Sequence, residues 1–332
     1  LSQHYSASSA AMEESTMLCS SFSCDGKYLA CGFTNGFGIY ECSNSRRLLF
    51  RTFFTGGFGI VEIVDNSNLL LVVGGGKRPF MSPNKVILWD DAKARFVGEL
   101  EVTSKILSVR ATKSDFVVVT INNVYVYNRE TLRLTAEYST GENPLGIVAT
   151  NKRCIVFPDQ DRGSITVISH ETGIVHMKAH TNAIQSIYLA DEGSLIATAS
   201  EKGTLIRLFD LQDEERFQEF RRGFDKSSLT MLSISLDQKY VLCVSEGTEI
   251  FVFATTESAS KAFASLFVAD SKPIATLSLQ TEIKSLFFRD AMSIYVLDVN
   301  GVLMRLMLDK DGFSLCSSVQ LQIGRASCRE RV

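Results

Sequence analysis

Residues 183–210 read AIQSIYLADEGSLIATASEKGTLIRLFD and contain three short runs separated by two turns. The runs are Ala183–Leu189, Ser194–Ala199 and Thr204–Asp210, and each is rich in β-branched and large apolar residues. Each of the two turns is polar and ends on a glycine, a residue that can take positive φ. This pattern predicts a meander of antiparallel strands.

The same unit of three runs recurs along the chain. Clear copies occupy 18–41 and 59–90, and weaker ones occupy 106–128, 145–169, 229–253 and 283–308. With 183–210 this makes seven units that repeat about every 45 residues, a period typical of the four-stranded blades of a propeller. Leu88-Trp89-Asp90 and Phe209-Asp210 resemble the Trp-Asp dipeptide of WD40 units. The sequence therefore predicts an all-β fold, a seven-bladed WD40-like β-propeller over residues 17–322.

Both ends of the chain fall outside this pattern. Residues 1–16 are polar and rich in small side chains, which predicts a flexible N-terminal segment and not a signal peptide. Residues 323–332 break the apolar alternation and resemble the in-frame translation of a sequencing-library adapter, so we expect a non-native tail there. No apolar run approaches the roughly 20 residues that a membrane-spanning helix needs.

Charge and cysteine usage narrow the function classes. The net charge is −3, and −5 without the charged residues of 323–332, so bulk charge does not favour nucleic acid, and any phosphate site must be local. The eight cysteines form no CxxC pair, which is typical of a reduced, cytosolic protein. Neither the Cys and His spacings nor any nucleophile motif indicates a metal site, a cofactor or an enzyme.

The stretch Phe220-Arg221-Arg222-Gly223 follows the best-formed unit. In an extended segment successive side chains point to opposite faces, so we expect Arg221 and Arg222 to serve two separate anion sites. The planar guanidinium suits phosphate because it offers a fork of donors. Taken alone, the same residues could form a solvated turn, so their neighbours decide between the two interpretations.

These neighbours resemble the PROPPIN family, propellers that bind polyphosphoinositides, over about residues 17–320. The resemblance rests on Phe220–Gly223, Ala179-His180, the run ATASEKGTLIR at 197–207 and the stretch GGGKRPFMSPNKVILWD at 74–90. It implies two headgroup pockets, on the rim at blades five and six, for phosphatidylinositol 3-phosphate (PI3P) and phosphatidylinositol 3,5-bisphosphate (PI(3,5)P2).

The resemblance also implies which residues form the two pockets. Pocket one would use His180, Ser200, Thr204, Arg207 and Arg221. Pocket two would use Arg222, Lys226, Ser227 or Ser228, Ser245 and Thr248. The alternative for His180 is a packing histidine of a degenerate WD unit.

Pocket two departs from the family pattern. The family has Lys-Gly-Thr followed by a His in blade six, whereas this chain lacks the Lys and has Phe251 in place of the His. Glu246 and Glu249 would repel a phosphate if they pointed into the site. We therefore expect pocket one to bind and pocket two to be weak or lost.

The connection 254–272 inside blade six contains a helical pattern. Its apolar residues form one stripe of an α-helix, at Ala259, Ala262, Phe263, Leu266 and Phe267. In the family this loop inserts into the bilayer, which would make Phe263, Leu266 and Phe267 the inserted side chains. The alternative is a helix folded back onto the propeller.

The resemblance implies a monomeric, cytoplasmic scaffold that binds peripherally to preautophagosomal, endosomal or vacuolar membranes. It would act in autophagy or endolysosomal protein transport. The implied partner is the rod-like autophagic lipid-transfer protein or another autophagy factor, engaged through blades one to three, where residues 77–83 lie. The alternative function is a generic WD-repeat interaction scaffold whose lipid pockets have decayed.

If residues 254–272 insert into a bilayer, Phe263→Ser/Phe267→Ser weakens vesicle binding, because each buried apolar side chain contributes about 1.5–3 kcal/mol. Liposome co-flotation measures the loss. Calorimetry with a soluble headgroup is the control and should give an unchanged affinity. An equal loss of headgroup affinity would contradict insertion.

Overall fold

The computed structural model describes residues 15–53, 56–169, 173–190, 195–211, 213–255, 272–290, 293–309 and 312–322. The secondary structure of these residues consists of strands β1 to β28, grouped in seven four-stranded antiparallel sheets. Each sheet contains four strands that are consecutive in sequence. The predicted all-β, seven-bladed propeller is confirmed.

Blades one to three comprise strands β1 to β12. Blade one contains β1 (Met17–Phe22), β2 (Tyr28–Phe33), β3 (Gly36–Glu41) and β4 (Arg46–Thr52). Blade two contains β5 (Gly57–Ile63), β6 (Leu69–Gly75), β7 (Lys85–Asp90) and β8 (Arg95–Glu101). Blade three contains β9 (Ser108–Ala111), β10 (Asp115–Val119), β11 (Asn123–Asn128) and β12 (Leu134–Ser139).

Blades four to seven repeat the arrangement. Blade four contains β13 (Ala149–Thr150), β14 (Cys154–Pro158), β15 (Ser164–Ser169) and β16 (Gly173–Lys178). Blade five contains β17 (Ile184–Leu189), β18 (Leu195–Ser200), β19 (Leu205–Asp210) and β20 (Asp213–Arg221). Blade six contains β21 (Leu229–Ile234), β22 (Tyr240–Ser245), β23 (Glu249–Ala254) and β24 (Ala275–Ser278). Blade seven contains β25 (Ile283–Asp290), β26 (Ser293–Asp298), β27 (Val302–Asp309) and β28 (Gly312–Gln320).

The repeat found in the sequence corresponds to the three inner strands of each blade. The second strand is almost fully buried, as in β10 and β18, because neighbouring blades cover both of its faces. The fourth strand lies at the rim and is largely exposed, as in β8 and β12. Its weak apolar pattern explains why the sequence repeat ends at the third strand.

The core lies between blades and not within them. Between blades five and six, Ile206, Leu208 and Phe220 pack against apolar residues of blade six that include Val241 and Phe253. The ring centroids of Phe220 and Phe253 are 5.5 Å apart. Each sheet therefore depends on both of its neighbours for burial.

The ring closes by packing of blade seven against blade one. Buried residues of both blades form one cluster, which includes Phe33, Tyr40, Tyr295 and Leu297. The Tyr40 hydroxyl donates a hydrogen bond to the main-chain oxygen of Gln322 at 2.9 Å. Blade seven consists of four consecutive strands, so among the described residues no strand is exchanged between the ends and side-chain packing holds the closure. None of the described segments forms a helix with the length and apolarity to cross a bilayer.

Closure through side-chain packing makes a specific prediction about stability. Leu297 is 0% exposed at the closure, and Leu297→Ala should lower the free energy of unfolding by about 2–5 kcal/mol. Leu315→Ala, in the exposed outer strand of the same blade, should change it by less than about 0.5 kcal/mol. Urea denaturation measures both. Equal stability of the two variants would show that the closure does not depend on this cluster.

Candidate functional site

The two arginines predicted for pocket one lie on the same face of blade five. In the pairing of β19 with β20, Arg207 is opposite Glu219 and Leu205 is opposite Arg221. Side chains alternate along a strand, so Arg207, Glu219 and Arg221 share one face, which is turned towards blade four. Phe220 lies on the other face and packs against blade six.

Arg207 is held at the junction of blades four and five by several contacts. Its Nε donates to Glu219 Oε2 at 2.9 Å, and its Nη1 donates to the main-chain oxygen of Ala179 at 2.6 Å. Its guanidinium carbon lies 5.2 Å from the centroid of the Phe217 ring. Glu219 was not among the residues predicted for pocket one. It lies two residues before Arg221 and therefore on the same face of the strand.

His180 follows the outer strand of blade four and is buried at this junction. Its Nε2 lies 3.0 Å from Thr198 Oγ1. Burial, and the positive charge of Arg207, lower the pKa of His180 to about 4, so the imidazole is neutral at pH 7. His180 therefore offers a neutral ring nitrogen and does not add to the positive charge of the junction.

The hydroxyl residues of pocket one lie at the turn between β18 and β19. The main-chain N–H of Gly203 donates to the oxygen of Ser200 at 2.9 Å, which closes the turn, and the N–H of Arg222 donates to the oxygen of Thr204 at 3.0 Å. Ser200 and Thr204 are both buried. The five predicted residues of pocket one are thus collected around one junction, between blades four and five.

Arg221 lies at the exposed end of this junction. Its guanidinium carbon is 5.2 Å from the centroid of the Phe224 ring, and Phe224 is 81% exposed. The sequence contained no signal that distinguished this phenylalanine from a core residue. Its exposure follows from the chain leaving the sheet after Arg221.

Arg222 belongs to the next junction, between blades five and six. Its Nε donates to the main-chain oxygen of Gly203 at 3.1 Å and its Nη2 to that of Asp225 at 2.5 Å. Its positive charge acts on Cys243 and Glu246 of blade six. The tandem arginines therefore lie at different junctions.

The other residues predicted for pocket two surround the same junction. The hydroxyl oxygens of Ser227 and Ser245 are 2.6 Å apart and buried. The N–H of Ser228 donates to Glu246 Oε1 at 2.8 Å. Thr248 closes the turn through its N–H, 3.1 Å from the oxygen of Ser245, while Lys226 is exposed.

The two junctions are successive versions of one arrangement, and they differ in charge. Thr198 is opposite Arg207 in blade five, whereas Cys243 is opposite Phe251 at the matching place in blade six. Pocket two therefore has an aromatic ring where pocket one has its inner-strand cation. The expectation that pocket one binds and pocket two is weak or lost stays a prediction.

Gly203 brings the two junctions close to each other. Its φ is +65°, and a Cβ built on it would lie 1.6 Å from the main-chain oxygen of Ser227. Only glycine permits both the left-handed conformation and this approach. The turn of blade five can therefore touch the chain that enters blade six.

Other features of the described residues lie away from these junctions. A cavity of about 450 Å³ occupies the central channel, lined by the first strands of several blades, and contains none of the predicted pocket residues. In the described part of the chain, no three His, Cys, Asp or Glu side chains cluster closely enough to hold a metal ion. The predicted membrane-inserting residues Phe263, Leu266 and Phe267 lie outside the described residues.

Fold and site together define a class: a seven-bladed propeller with basic groups at adjacent blade junctions on its rim. The chain belongs to the PROPPIN family, whose model matches residues 16–293. It is 35% identical to SVP1-like protein 2 of Neurospora crassa over 71% of this chain and 55% of that protein. It is 34% identical to autophagy-related protein 18e of Arabidopsis thaliana over 67% of this chain and 61% of that protein. The chain thus spans little more than half the length of these relatives.

Solved structures show the same fold. Kluyveromyces lactis Hsv2 superimposes with a TM-score of 0.79 at 19% identity, over 93% of this chain and 100% of that one. KlAtg21, solved in complex with the coiled-coil of AgAtg16, superimposes with a TM-score of 0.77 at 18% identity, over 92% of this chain and 100% of that one.

The contact at Gly203 is testable with a matched pair of substitutions. Gly173→Ala introduces a Cβ at φ +78° with no atom within 4 Å, so it should cost only the left-handed strain, about 1–2 kcal/mol. Gly203→Ala adds the overlap with Ser227 and should cost about 1–3 kcal/mol more. Urea denaturation gives the difference. Identical losses would mean that the close approach is not required.

Proposed function

We propose that this chain binds a 3-phosphorylated phosphoinositide headgroup at the junction of blades four and five and is thereby recruited to membranes. The observation that supports this proposal most strongly is the placement of Arg207 and Arg221 on one face of one blade. Two guanidinium groups on the same side of a sheet form a local positive site on a chain whose net charge is −3. Their forks of donors match phosphate oxygens.

The surrounding groups favour phosphate over a simple carboxylate. Ser200 and Thr204 provide hydroxyls, and the neutral His180 provides a ring nitrogen that does not need a counter-ion. Glu219 orients Arg207 through its hydrogen bond and compensates part of its charge. An anion with more than one negative charge therefore gains most from the junction, because Arg221 adds the second cation.

Membrane attachment would combine this headgroup site with the connection 254–272. Apolar insertion and headgroup recognition are each weak, and together they give a stable and specific attachment. The relatives of this chain include a protein named as autophagy-related, which supports a role in autophagy or endolysosomal trafficking. The localisation that follows is peripheral, on preautophagosomal, endosomal or vacuolar membranes, with a cytoplasmic pool.

Partner binding is proposed for blades one to three, through the connection between β6 and β7. Its main chain is held by Gly57, which exchanges hydrogen bonds with Arg78 and Phe80 at 2.8 and 3.0 Å. Phe80 stacks on Phe58, with centroids 5.1 Å apart, and this leaves Lys77 and Arg78 exposed. An ordered, basic loop of this kind suits an acidic segment of an autophagy factor, such as the lipid-transfer protein.

Liposome co-flotation tests the lipid proposal. The wild type should float with vesicles that contain PI3P or PI(3,5)P2, and Arg221→Thr/Arg222→Thr should reduce binding at least tenfold, because each hydrogen bond to a charged group contributes about 1.5–3 kcal/mol. Arg46→Thr/Arg47→Thr is the matched control, since it removes the same charge from the outer strand of blade one.

The outcomes separate the two functions considered for this chain. Binding by the control but not by the Arg221/Arg222 variant supports headgroup recognition. If the wild type does not float, or the Arg221/Arg222 variant floats equally well, the propeller is a protein-interaction scaffold with decayed lipid sites.

A further inference from the structure

Two glutamates occupy matching places at the two junctions. Glu201 follows β18 of blade five, and Glu246 follows β22 of blade six. The N–H of Glu201 donates to the oxygen of Ala183 at 2.9 Å, and the N–H of Glu246 donates to that of Ser228 at 2.9 Å. In both cases the acceptor is the residue directly before the first strand of the same blade.

The carboxylates of the two glutamates have different partners. Glu201 forms an ion pair with Arg162 of blade four, which is not one of the pocket-one residues. Glu246 accepts a hydrogen bond from the N–H of Ser228 at 2.8 Å. The Ser227 hydroxyl, that N–H and the charge of Arg222 together lower the pKa of Glu246, so it is ionised at neutral pH.

The groups around the Glu246 carboxylate are the groups a phosphate would need. They comprise a main-chain N–H, a serine hydroxyl and an arginine, and all three come from residues 222–228. A phosphate entering pocket two would have to displace a carboxylate that is tethered in place, or bind beside it against like-charge repulsion. At pocket one the corresponding acid, Glu201, is bound by Arg162, and the acid on the pocket face, Glu219, is paired with Arg207.

We infer that the Glu246 carboxylate acts as an internal anion that occupies pocket two and restricts this chain to one headgroup. This inference rests on the proposed function of pocket one and adds the feature that sets the number of sites. Pocket two also has Phe251 in place of the cation found in pocket one, but the inference makes a separate claim. It predicts that removal of the Glu246 charge alone restores headgroup binding at pocket two. Glu246 is thus a specificity-determining residue.

Isothermal titration with inositol 1,3-bisphosphate tests the inference on the full chain. The wild type should bind one equivalent. Glu246→Gln, which keeps an acceptor for the Ser228 N–H but removes the charge, should bind two, with the second site tightened at least tenfold. The matched control Glu201→Gln should still bind one. Arg222→Thr/Glu246→Gln should lose the second equivalent.

A second variant that removes the same charge controls for a folding defect in Glu246→Gln. Glu246 has a φ of +51°, which asparagine tolerates better than most residues, so Glu246→Asn should fold and should also bind two equivalents. Thermal melting verifies that each variant is folded. Titration with inorganic phosphate distinguishes a headgroup site from a general anion site, and only the inositol bisphosphate should fill both pockets of the Glu246 variants.

The remaining outcomes are each decisive. One equivalent for the wild type and also for both folded Glu246 variants overturns the internal anion while leaving the proposed function intact. No binding by the wild type and one equivalent for Glu246→Gln overturns the proposed function of pocket one and supports the internal anion. Two equivalents for the wild type overturn the inference, because pocket two would then be open.

Discussion

The packing of Phe220 between blades five and six determines where both following arginines can point. Phe220 is 1% exposed and contacts the core of blade six, so the next residue along the strand must face blade four. Arg221 thereby joins Arg207 at one junction. Arg222 lies beyond the end of the strand and binds main-chain oxygens at the other junction. One buried ring thus divides two adjacent charges between two sites.

The packing of each blade against its neighbours also explains why the two pockets lie at the junctions between blades. A four-stranded sheet presents two faces, and in a propeller both are covered by neighbouring blades, so a ligand can reach polar side chains only where a junction opens, near the ends of the strands. Ser200 and Ser245 hold matching places at the ends of the second strands of blades five and six. Repetition provides the same scaffold at each junction, and individual substitutions such as Phe251 for the inner-strand cation make the junctions chemically different.

Glu201 and Glu246 show that the chemical difference between the two junctions depends on which residues contact each acid. Glu201 and Glu246 occupy equivalent turns, yet an arginine of the preceding blade binds one and the donors of residues 222–228 bind the other. The sequence places both acids directly after a serine predicted for a headgroup pocket. It does not indicate which of the two faces the site, because the partner that decides this lies 39 residues away for Glu201 and 18 residues away for Glu246.

The sequence by itself determined the period, the three inner strands of each blade and the tandem arginines, because alternation, turn glycines and charge are local properties. It marked the outer strands only weakly, since they are largely exposed and lack a clear apolar pattern. Only the tertiary structure placed Glu219 on Arg207, made His180 neutral by burial, and turned Glu246 towards Ser228. Each of these depends on residues that are at least 12 positions apart in the sequence and meet through strand pairing or at a junction between blades.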